Sequence, residues 1–178
     1  MCNHFNVRCI LFTGVAGGLQ EGQQIGDLVL GAEVVNHDMD CTGFVLPDKT
    51  HVLGEIPFVG WRFYEADKAM LELAQAWEPP AGVRVSTGRL ASGSVFISSE
   101  EAKLAFNATK GEALGNPVAV EMENAGVAQI CRAYEKPYLS LRALSDLLKG
   151  DANADFMAFC QQAADNTFPL VSHMVRGL

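Results

Sequence analysis

Short, nearly all-apolar runs that end in glycine or polar residues are the feature that most constrains the fold of this chain. RCILFT (residues 8–13) leads into TGVAGG, and DLVLGAEVVN (residues 27–36) is a second run of this kind. YLSLRAL (residues 138–144) is a third, near the end of the chain. Strands that are apolar on both faces are typical of sheets covered by helices on both sides. The pattern predicts an α/β fold with a mainly parallel or mixed central sheet.

Helical periods and turn residues separate these strands. Residues 62–77 have apolar side chains at helical spacing, and the Pro79-Pro80 pair stops that pattern. Residues 83–97 are strand-like with a bend at the glycines, and Ser98 and Glu101 have capping-box spacing for a short helix. The remaining predicted elements are a long loop over 41–61, a strand over 118–120, a helix over 125–134 and a final helix over about 154–175.

Length, composition and charge limit the class of protein. The chain has 178 residues, 49% of them hydrophobic and 19% charged, which is typical of a soluble globular protein. This length predicts a single domain over residues 1–178. A net charge of −8 argues against nucleic acid or an anionic membrane as the main partner. No apolar run is long enough to cross a bilayer, and we find no signal-peptide pattern. We therefore expect a small-molecule ligand.

The cysteines and histidines predict neither disulfides nor a metal. Five cysteines are an odd number, and none forms a CxxC pair. This pattern indicates reduced thiols and a cytoplasmic protein. The segment His37-Asp38-Met39-Asp40 lacks the ligand count and spacing of the familiar zinc motifs, so a loop or supporting role is favoured there. The chain has no Walker-type loop, and we expect no cofactor.

Two segments put glycines or an aromatic residue just after an apolar strand, at the edge where ligands bind in open α/β sheets. In residues 13–19 (TGVAGGL), the glycines either let the backbone approach a ligand closely or form an ordinary turn. In residues 91–97 (ASGSVFI), Phe96 either stacks on a flat ring or packs in the core. Taken separately, each motif leaves both interpretations open.

Two further segments put carboxylates at the same edge. Glu121 and Glu123 follow the apolar strand, where one of them can accept from both hydroxyls of a sugar cis-diol or favour a helix N-terminus. Asp146 follows Ser145 at the end of another strand. An aspartate partly removed from water can deliver a proton to a substrate. The alternatives are a helix N-cap or an ion pair with Arg142.

In the order TGVAGGL, IGDLVL, NHDMD, ASGSVFI, VEMENAGVAQIC and LRALSD, these segments resemble the nucleoside phosphorylase/nucleosidase family. The similarity is strongest to its methylthioadenosine/S-adenosylhomocysteine nucleosidases and runs from about Cys9 to the C-terminus. The resemblance implies a three-layer α/β/α fold with a mixed central sheet. It also implies hydrolysis of the N-glycosidic bond of 5′-substituted adenosines, with release of adenine and without a cofactor.

The resemblance also implies roles for individual residues. Asp146 would pass a proton to N7 of the purine, Ser145 would orient that aspartate, and Arg142 would support the side of the site where water is activated. Glu123 would accept from the ribose hydroxyls and Phe96 would stack on the base. The full set of expected substrate-binding residues is Gly17, Phe96, Ile97, Glu121, Met122, Glu123 and Phe156, with Cys41, Phe44 and Leu46 reaching the 5′-substituent of a neighbouring subunit. A homodimer is therefore implied.

Two departures from the family pattern bear on the reaction. Val15 replaces a small hydroxyl residue, and Ile10-Leu11-Phe12 replaces the stretch where phosphorylases carry a phosphate-binding arginine, so hydrolysis is favoured over phosphorolysis. Relatives begin with further strands, the first of which carries the glutamate that activates water, and we expect this chain to lack that N-terminal part. The open alternatives are a purine nucleoside phosphorylase, a futalosine-type nucleosidase, and a purine- or nucleoside-binding relative without turnover.

Overall fold

The computed structural model describes residues 2, 4–148 and 152–178, and it describes side chains in the last helix from residue 158 onward. Over these residues the elements are β1 (Ile10–Gly18), β2 (Leu28–Asn36), β3 (Val45–Leu46), β4 (Lys49–Thr50), β5 (Phe63–Glu65), α1 (Lys68–Gln75), β6 (Val85–Ser92), α2 (Glu100–Phe106), a π-helical turn (Asn107–Gly111), β7 (Ala119–Glu121), α3 (Asn124–Ala133), β8 (Tyr138–Asp146) and α4 (Ala152–Gly177). Among the helices described, none is long and apolar enough to span a bilayer.

The central sheet is mixed and closes on itself. Its strand order is β5-β2-β6-β7-β1-β8, and β8 also pairs with β2. The β1/β8, β2/β6 and β6/β7 pairs are parallel, whereas β1/β7 and β2/β8 are antiparallel. The short strand β5 is antiparallel to β2 and lies outside this ring. The closure brings the carboxyl ends of β1, β6, β7 and β8 to one place.

Helices cover both faces of the sheet. Along β2, Leu28 and Leu30 pack in a core cluster with residues of α1 and α4, whereas Val29 packs in a cluster with residues of α3. Since successive side chains of a strand point to opposite faces, α1 and α4 lie on one face and α3 on the other. The predicted three-layer α/β/α arrangement with a mixed sheet is confirmed. Closure of the sheet was not predicted.

The prediction of one helix over residues 62–77 is wrong in its first part. Phe63–Glu65 forms strand β5, which pairs with Val35 to Glu33 of β2. The helix α1 begins only after Asp67, whose side chain accepts from the backbone N–H of Met70. The open edge of β2 offers backbone hydrogen bonds, and this tertiary pairing overrides the helical spacing of the side chains.

Two other boundaries also differ from the predictions. β1 does not end before the glycines but continues through them to Gly18, because β8 pairs with it as far as Asp146, with a register shift between Ala16 and Gly17. The short helix α2 is capped by Ser99, whose side chain accepts from the N–H of Ala102, rather than by Ser98.

Candidate active site

A cavity of about 380 Å³ opens where the carboxyl ends of β1, β6, β7 and β8 meet. The strand register explains this position, because Gly17 pairs with both Val120 and Asp146, and Ser92 pairs with Glu121. Its lining residues are Val15, Ala16, Gly17, Val95, Phe96, Ile97, Val120, Glu121, Met122, Glu123, Ser145, Asp146 and Leu148. The four segments that the sequence predicted to lie at one sheet edge therefore contribute to a single cavity.

Asp146 is the last residue of β8, and local hydrogen bonds hold its carboxyl group. Ser145 Oγ donates to Oδ2 at 3.0 Å, and the backbone N–H of Leu148 donates to Oδ1 at 3.2 Å. The residue is only 3% exposed although it lines the cavity. The chain then turns sharply, with Leu148 at a φ of 56°. Ser145 and this turn together fix the direction in which the carboxyl points.

Gly17 allows Asp146 to lie close to β1. A Cβ atom at this position would stand 2.6 Å from Leu148 Cδ2 and 3.0 Å from Asp146 Oδ1. A side chain here would therefore force the Leu148 side chain to move and would crowd the carboxyl group of Asp146. The glycine serves a close approach between two strands, which differs from the loop interpretation considered for the sequence.

A buried ion pair lies beside the cavity. Arg142 Nη2 is 2.7 Å from Glu121 Oε2, and both side chains are 2% exposed. The guanidinium also lies over the ring of Phe12, with its Cζ 4.5 Å from the ring centroid. Gly14 leaves room for it, because a Cβ there would overlap Nη1. Burial raises the pKa of Glu121, and the positive charge of Arg142 acts in the opposite direction.

The two glutamates of the VEMEN segment have different environments. The carboxylate of Glu121 accepts from the backbone N–H groups of Glu123 and Asn124 at 3.1 and 3.0 Å as well as from Arg142. Glu123 is exposed, and within the described part of the chain no donor is found for its carboxylate. Glu123 is therefore the carboxylate that is free to accept from a ligand, whereas Glu121 shapes the turn that presents it.

Phe96 and Ile97 belong to the loop 93–99, which connects β6 to α2. The Phe96 side chain is 45% exposed at the cavity, while Ile97 is buried in the adjacent core cluster. The start of the loop is held because Gly93 N donates to Glu121 O at 3.1 Å and Ser94 N donates to an Asp38 carboxylate oxygen at 2.5 Å. A half-exposed aromatic ring on a fixed loop is suited to stacking on a flat ligand.

Several residues that contribute to the site were missed from the sequence. Ser92 Oγ accepts from Ala125 N at 2.8 Å, and Asn124 Nδ2 donates to Ser140 Oγ at 2.7 Å. These bonds support the turn that carries the two glutamates. The only sequence feature that pointed to Ser92 was its place as a polar residue at the end of strand β6. Lys103 lies within α2, and no sequence pattern indicates that it contributes to the site.

Three of the remaining predicted residues are not among the described residues that line the cavity. Cys41 and Phe44 lie in the loop after β2 and Leu46 lies in β3, and the Phe44 ring stacks on His51 at 5.8 Å. Phe156 lies in α4, but its side chain is outside the described residues. The contacts expected from a neighbouring subunit therefore stay a prediction. Among the described residues, no group of three or more His, Cys, Asp and Glu side chains could hold a metal.

A mixed sheet with helices on both faces and a carboxylate-rich cavity at its strand ends define a nucleoside phosphorylase-like α/β protein. The sequence profile described as the phosphorylase superfamily matches residues 1–176, so the chain belongs to that superfamily.

Similar proteins span a longer sequence than this one. The 5′-methylthioadenosine/S-adenosylhomocysteine nucleosidase of Staphylococcus haemolyticus is 32% identical over 174 residues, which is 98% of this chain and 72% of the relative. The structure of such a nucleosidase from Colwellia psychrerythraea, in complex with adenine, has a TM-score of 0.85 at 28% identity and covers 97% of this chain and 68% of that one. The native futalosine hydrolase of Helicobacter pylori has a TM-score of 0.83 at 32% identity, and the match covers 97% of this chain and 69% of that one.

Proposed function

We propose that this chain is a purine nucleosidase that hydrolyses the N-glycosidic bond of 5′-substituted adenosines, methylthioadenosine and S-adenosylhomocysteine among them, and releases adenine. One observation carries the proposal. A single cavity brings together a buried aspartate, Asp146, an exposed carboxylate that has no donor among the described residues, Glu123, and an exposed aromatic ring, Phe96. The activities named for its relatives support the same reaction.

The geometry fits the electronic demands of this reaction. The bond between the sugar and the base breaks to give an oxocarbenium-like sugar, so a proton delivered to N7 makes adenine a better leaving group. Asp146 would hold and deliver that proton, with its carboxyl oriented by Ser145. Glu123 would accept from the 2′ and 3′ hydroxyls and place negative charge near the developing cation. Water then forms the new bond to C1′ and loses a proton, which completes the hydrolysis.

The charge of the cavity favours water over phosphate as the nucleophile. Three of its described lining residues are carboxylic acids (Glu121, Glu123 and Asp146), and none is a lysine or arginine. The charge of Arg142 is neutralised by Glu121, and its guanidinium lies against Phe12. With Glu121 paired to Arg142 and Asp146 holding a proton, Glu123 still gives the described lining a negative charge, which would repel a phosphate dianion. Hydrolysis is therefore the better proposal than phosphorolysis.

The test is to incubate the purified chain with methylthioadenosine, with and without phosphate, and to follow adenine by chromatography. We expect release that does not depend on phosphate. Asp146→Asn should lower kcat by about 10²- to 10⁴-fold, because it removes the proton donor. Release that requires phosphate would identify a phosphorylase. Adenine binding by a folded sample without any product would identify a non-catalytic relative.

A futalosine-type nucleosidase is the second candidate, because the Helicobacter pylori futalosine hydrolase is as similar to this chain as the methylthioadenosine relatives are. The two candidates differ in the 5′-substituent. Comparing kcat/KM for futalosine and methylthioadenosine on one preparation separates them. A preference of more than about tenfold, equivalent to about 1.4 kcal/mol, would decide the substrate class.

We also propose that the protein is a homodimer. Exposed apolar side chains cluster on the loop after β2 and its surroundings: Phe44, Val45, Val52, Phe58 and Val59. The ring of Phe44 packs on those of His51 and Phe58, so this surface is ordered by its own contacts. Contiguous apolar patches of this kind mark protein interfaces. Sedimentation velocity should give a dimer for the wild type and a monomer for Phe58→Glu, and a wild-type monomer would remove this proposal.

We place the protein in the cytoplasm. All five cysteines are free in the structure, which agrees with a compartment that keeps thiols reduced. Cell fractionation of the expressed chain, followed by immunoblotting, tests this assignment. Recovery in an oxidising compartment would contradict it.

A further inference from the structure

A buried lysine connects segments on different sides of the cavity. Lys103 belongs to α2 and is only 7% exposed. Its Nζ donates to the carbonyl of Gly18 at 2.8 Å and to the carbonyl of Leu147 at 3.2 Å. Gly18 is the last residue of β1, and Leu147 directly follows Asp146. A buried ammonium is costly unless its donors find partners, so these bonds fix the position of the side chain.

The helix that carries this lysine also carries the base-stacking loop. Loop 93–99, with Phe96, runs directly into α2. Ile97 of the loop and Phe106, the last residue of α2, pack in the same core cluster as Leu148. Any shift of α2 relative to the end of β8 would therefore move the stacking ring relative to Asp146.

The segment after Asp146 needs such a support. β8 ends at Asp146, so the ladder of sheet hydrogen bonds does not extend to Leu147. Leu148 then adopts a left-handed backbone conformation with a φ of 56°, which is uncommon for a leucine. A charged donor forms stronger hydrogen bonds to carbonyl oxygens than a neutral one does. Lys103 supplies such a bond at the point where the strand stops.

We propose that Lys103 is a positioning residue for hydrolysis, one that sets the distance between the base-stacking loop and the proton-donating turn. The inference rests on the proposed function. Proton transfer to N7 requires the carboxyl of Asp146 to meet a base that Phe96 holds. A displacement of about 1 Å at such a site can cost about a hundredfold in rate. Lys103 thus acts through Asp146 and Phe96 and does not contact the substrate.

The test compares three variants of the complete chain. Lys103→Met keeps the length of the side chain but removes its donors, whereas Lys103→Arg keeps donors and charge. Arg62→Met is the matched control, because Arg62 also donates to two backbone carbonyls, those of Leu53 and Ala113, away from the cavity. Thermal unfolding, adenine affinity by calorimetry, and kcat and KM for methylthioadenosine are measured for each.

We expect Lys103→Met to lower kcat and adenine affinity by at least about tenfold at temperatures where it is fully folded. Lys103→Arg should retain most of the wild-type kcat and adenine affinity. Arg62→Met should be less stable than the wild type but should keep its kcat and adenine affinity. Equal kcat and adenine affinity in Lys103→Met and Arg62→Met would overturn the inference. A wild type that binds adenine but never releases it from the nucleoside would remove the proposed function instead. The adenine affinities of the variants would then still decide the role of Lys103.

Discussion

At the scale of single residues, the ion pair between Glu121 and Arg142 is the interaction that the site can least lose. Both side chains are almost completely buried, and each is the counter-ion of the other. Two charges in such a place are tolerable as a pair, whereas one alone carries its full desolvation cost. Glu121 also accepts hydrogen bonds from the turn that carries Glu123. Breaking the ion pair is therefore expected to displace Glu123, the carboxylate proposed to bind the substrate.

We expect Arg142→Met to destabilise the protein by about 3–5 kcal/mol, because it leaves Glu121 buried without a counter-ion. Urea denaturation measures the change in the free energy of unfolding. The double variant Glu121→Gln, Arg142→Met should be more stable than Arg142→Met alone, since it removes the unpaired charge. Simple additivity of the two single changes would contradict this account.

His37 makes stability depend on pH. Both of its ring nitrogens are buried and have no hydrogen-bond partner in the part of the chain that the structure describes, and the ring meets Phe106 edge-on at 5.3 Å. Burial lowers the pKa of His37 below its usual value of 6.5, Lys110 lowers it further, and Asp38 acts in the opposite direction. The unfolded chain therefore binds a proton more readily than the folded one below about pH 6.5. Stability from this residue is present above that pH and is lost as the pH falls through it.

Thermal unfolding at pH 7.5 and pH 5.5 tests this. His37→Phe keeps an aromatic ring in the same space but cannot take up a proton. We expect the variant to lose less stability than the wild type between the two pH values. Identical losses would show that other groups carry the pH dependence.

At the scale of elements, helix α2 depends on its cap. Ser99 Oγ accepts from Ala102 N at 3.2 Å, which satisfies a donor at the first turn. Ser99→Ala should cost about 1 kcal/mol of stability and should weaken adenine binding, because α2 carries Lys103 and ends the stacking loop. Ser98→Ala is the matched control, since Ser98 is the neighbouring residue and does not cap the helix. Chemical denaturation and adenine calorimetry on both variants provide the comparison, and equal effects would argue against the cap.

The same scale shows what could be predicted from the sequence. β1, β2, β8 and α3 come from apolar runs long enough to identify without tertiary information. β5 could not be predicted, because three residues become a strand only where β2 offers them hydrogen bonds. The glycines after Thr13 look like a loop until β8 pairs alongside them.

Some residues of the site could likewise be predicted from the sequence, and others could not. Asp146 ends β8, and Glu123 and Phe96 come shortly after β7 and β6, so their convergence follows from the rule that strand ends meet at one edge. Lys103 reaches a carbonyl 85 residues away in the sequence, and no local pattern encodes that contact. His37 belonged to a recognisable motif, but its burial against Phe106 depends on where α2 packs. Contacts between distant segments therefore account for what was missed.

At the scale of the whole molecule, β1 has an unpaired edge. From Ile10 to Ala16 its described partner is β8 on one side only, because β7 reaches only Gly17 and Gly18. A mainly apolar groove of about 420 Å³ lies between this strand and α4, and Phe168 beside it is 70% exposed. Unpaired, apolar strand edges recruit other chains.

We therefore expect this chain to form species larger than a dimer as its concentration rises. Phe168→Glu should reduce these species while leaving the dimer intact, because it puts a charge next to the open edge. Phe58→Glu should remove the dimer and give a monomer at low concentration, with association through the edge of β1 still possible as the concentration rises. Light scattering across a concentration series distinguishes the two surfaces, and a wild type that never exceeds a dimer would contradict the role given to the edge.

Closure of the sheet has a consequence for how the two ends of the chain hold together. β2 is hydrogen-bonded to β6 along one edge and to β8 along the other, and β1 is bonded to β8 as well. A protease cut in the loop between β4 and β5 would therefore leave two pieces held together by five strand pairings, which are β1/β7, β1/β8, β2/β5, β2/β6 and β2/β8. We expect such a nicked protein to elute as one particle and to separate only in denaturant. The two pieces, produced apart and mixed, should reassemble into a particle that binds adenine.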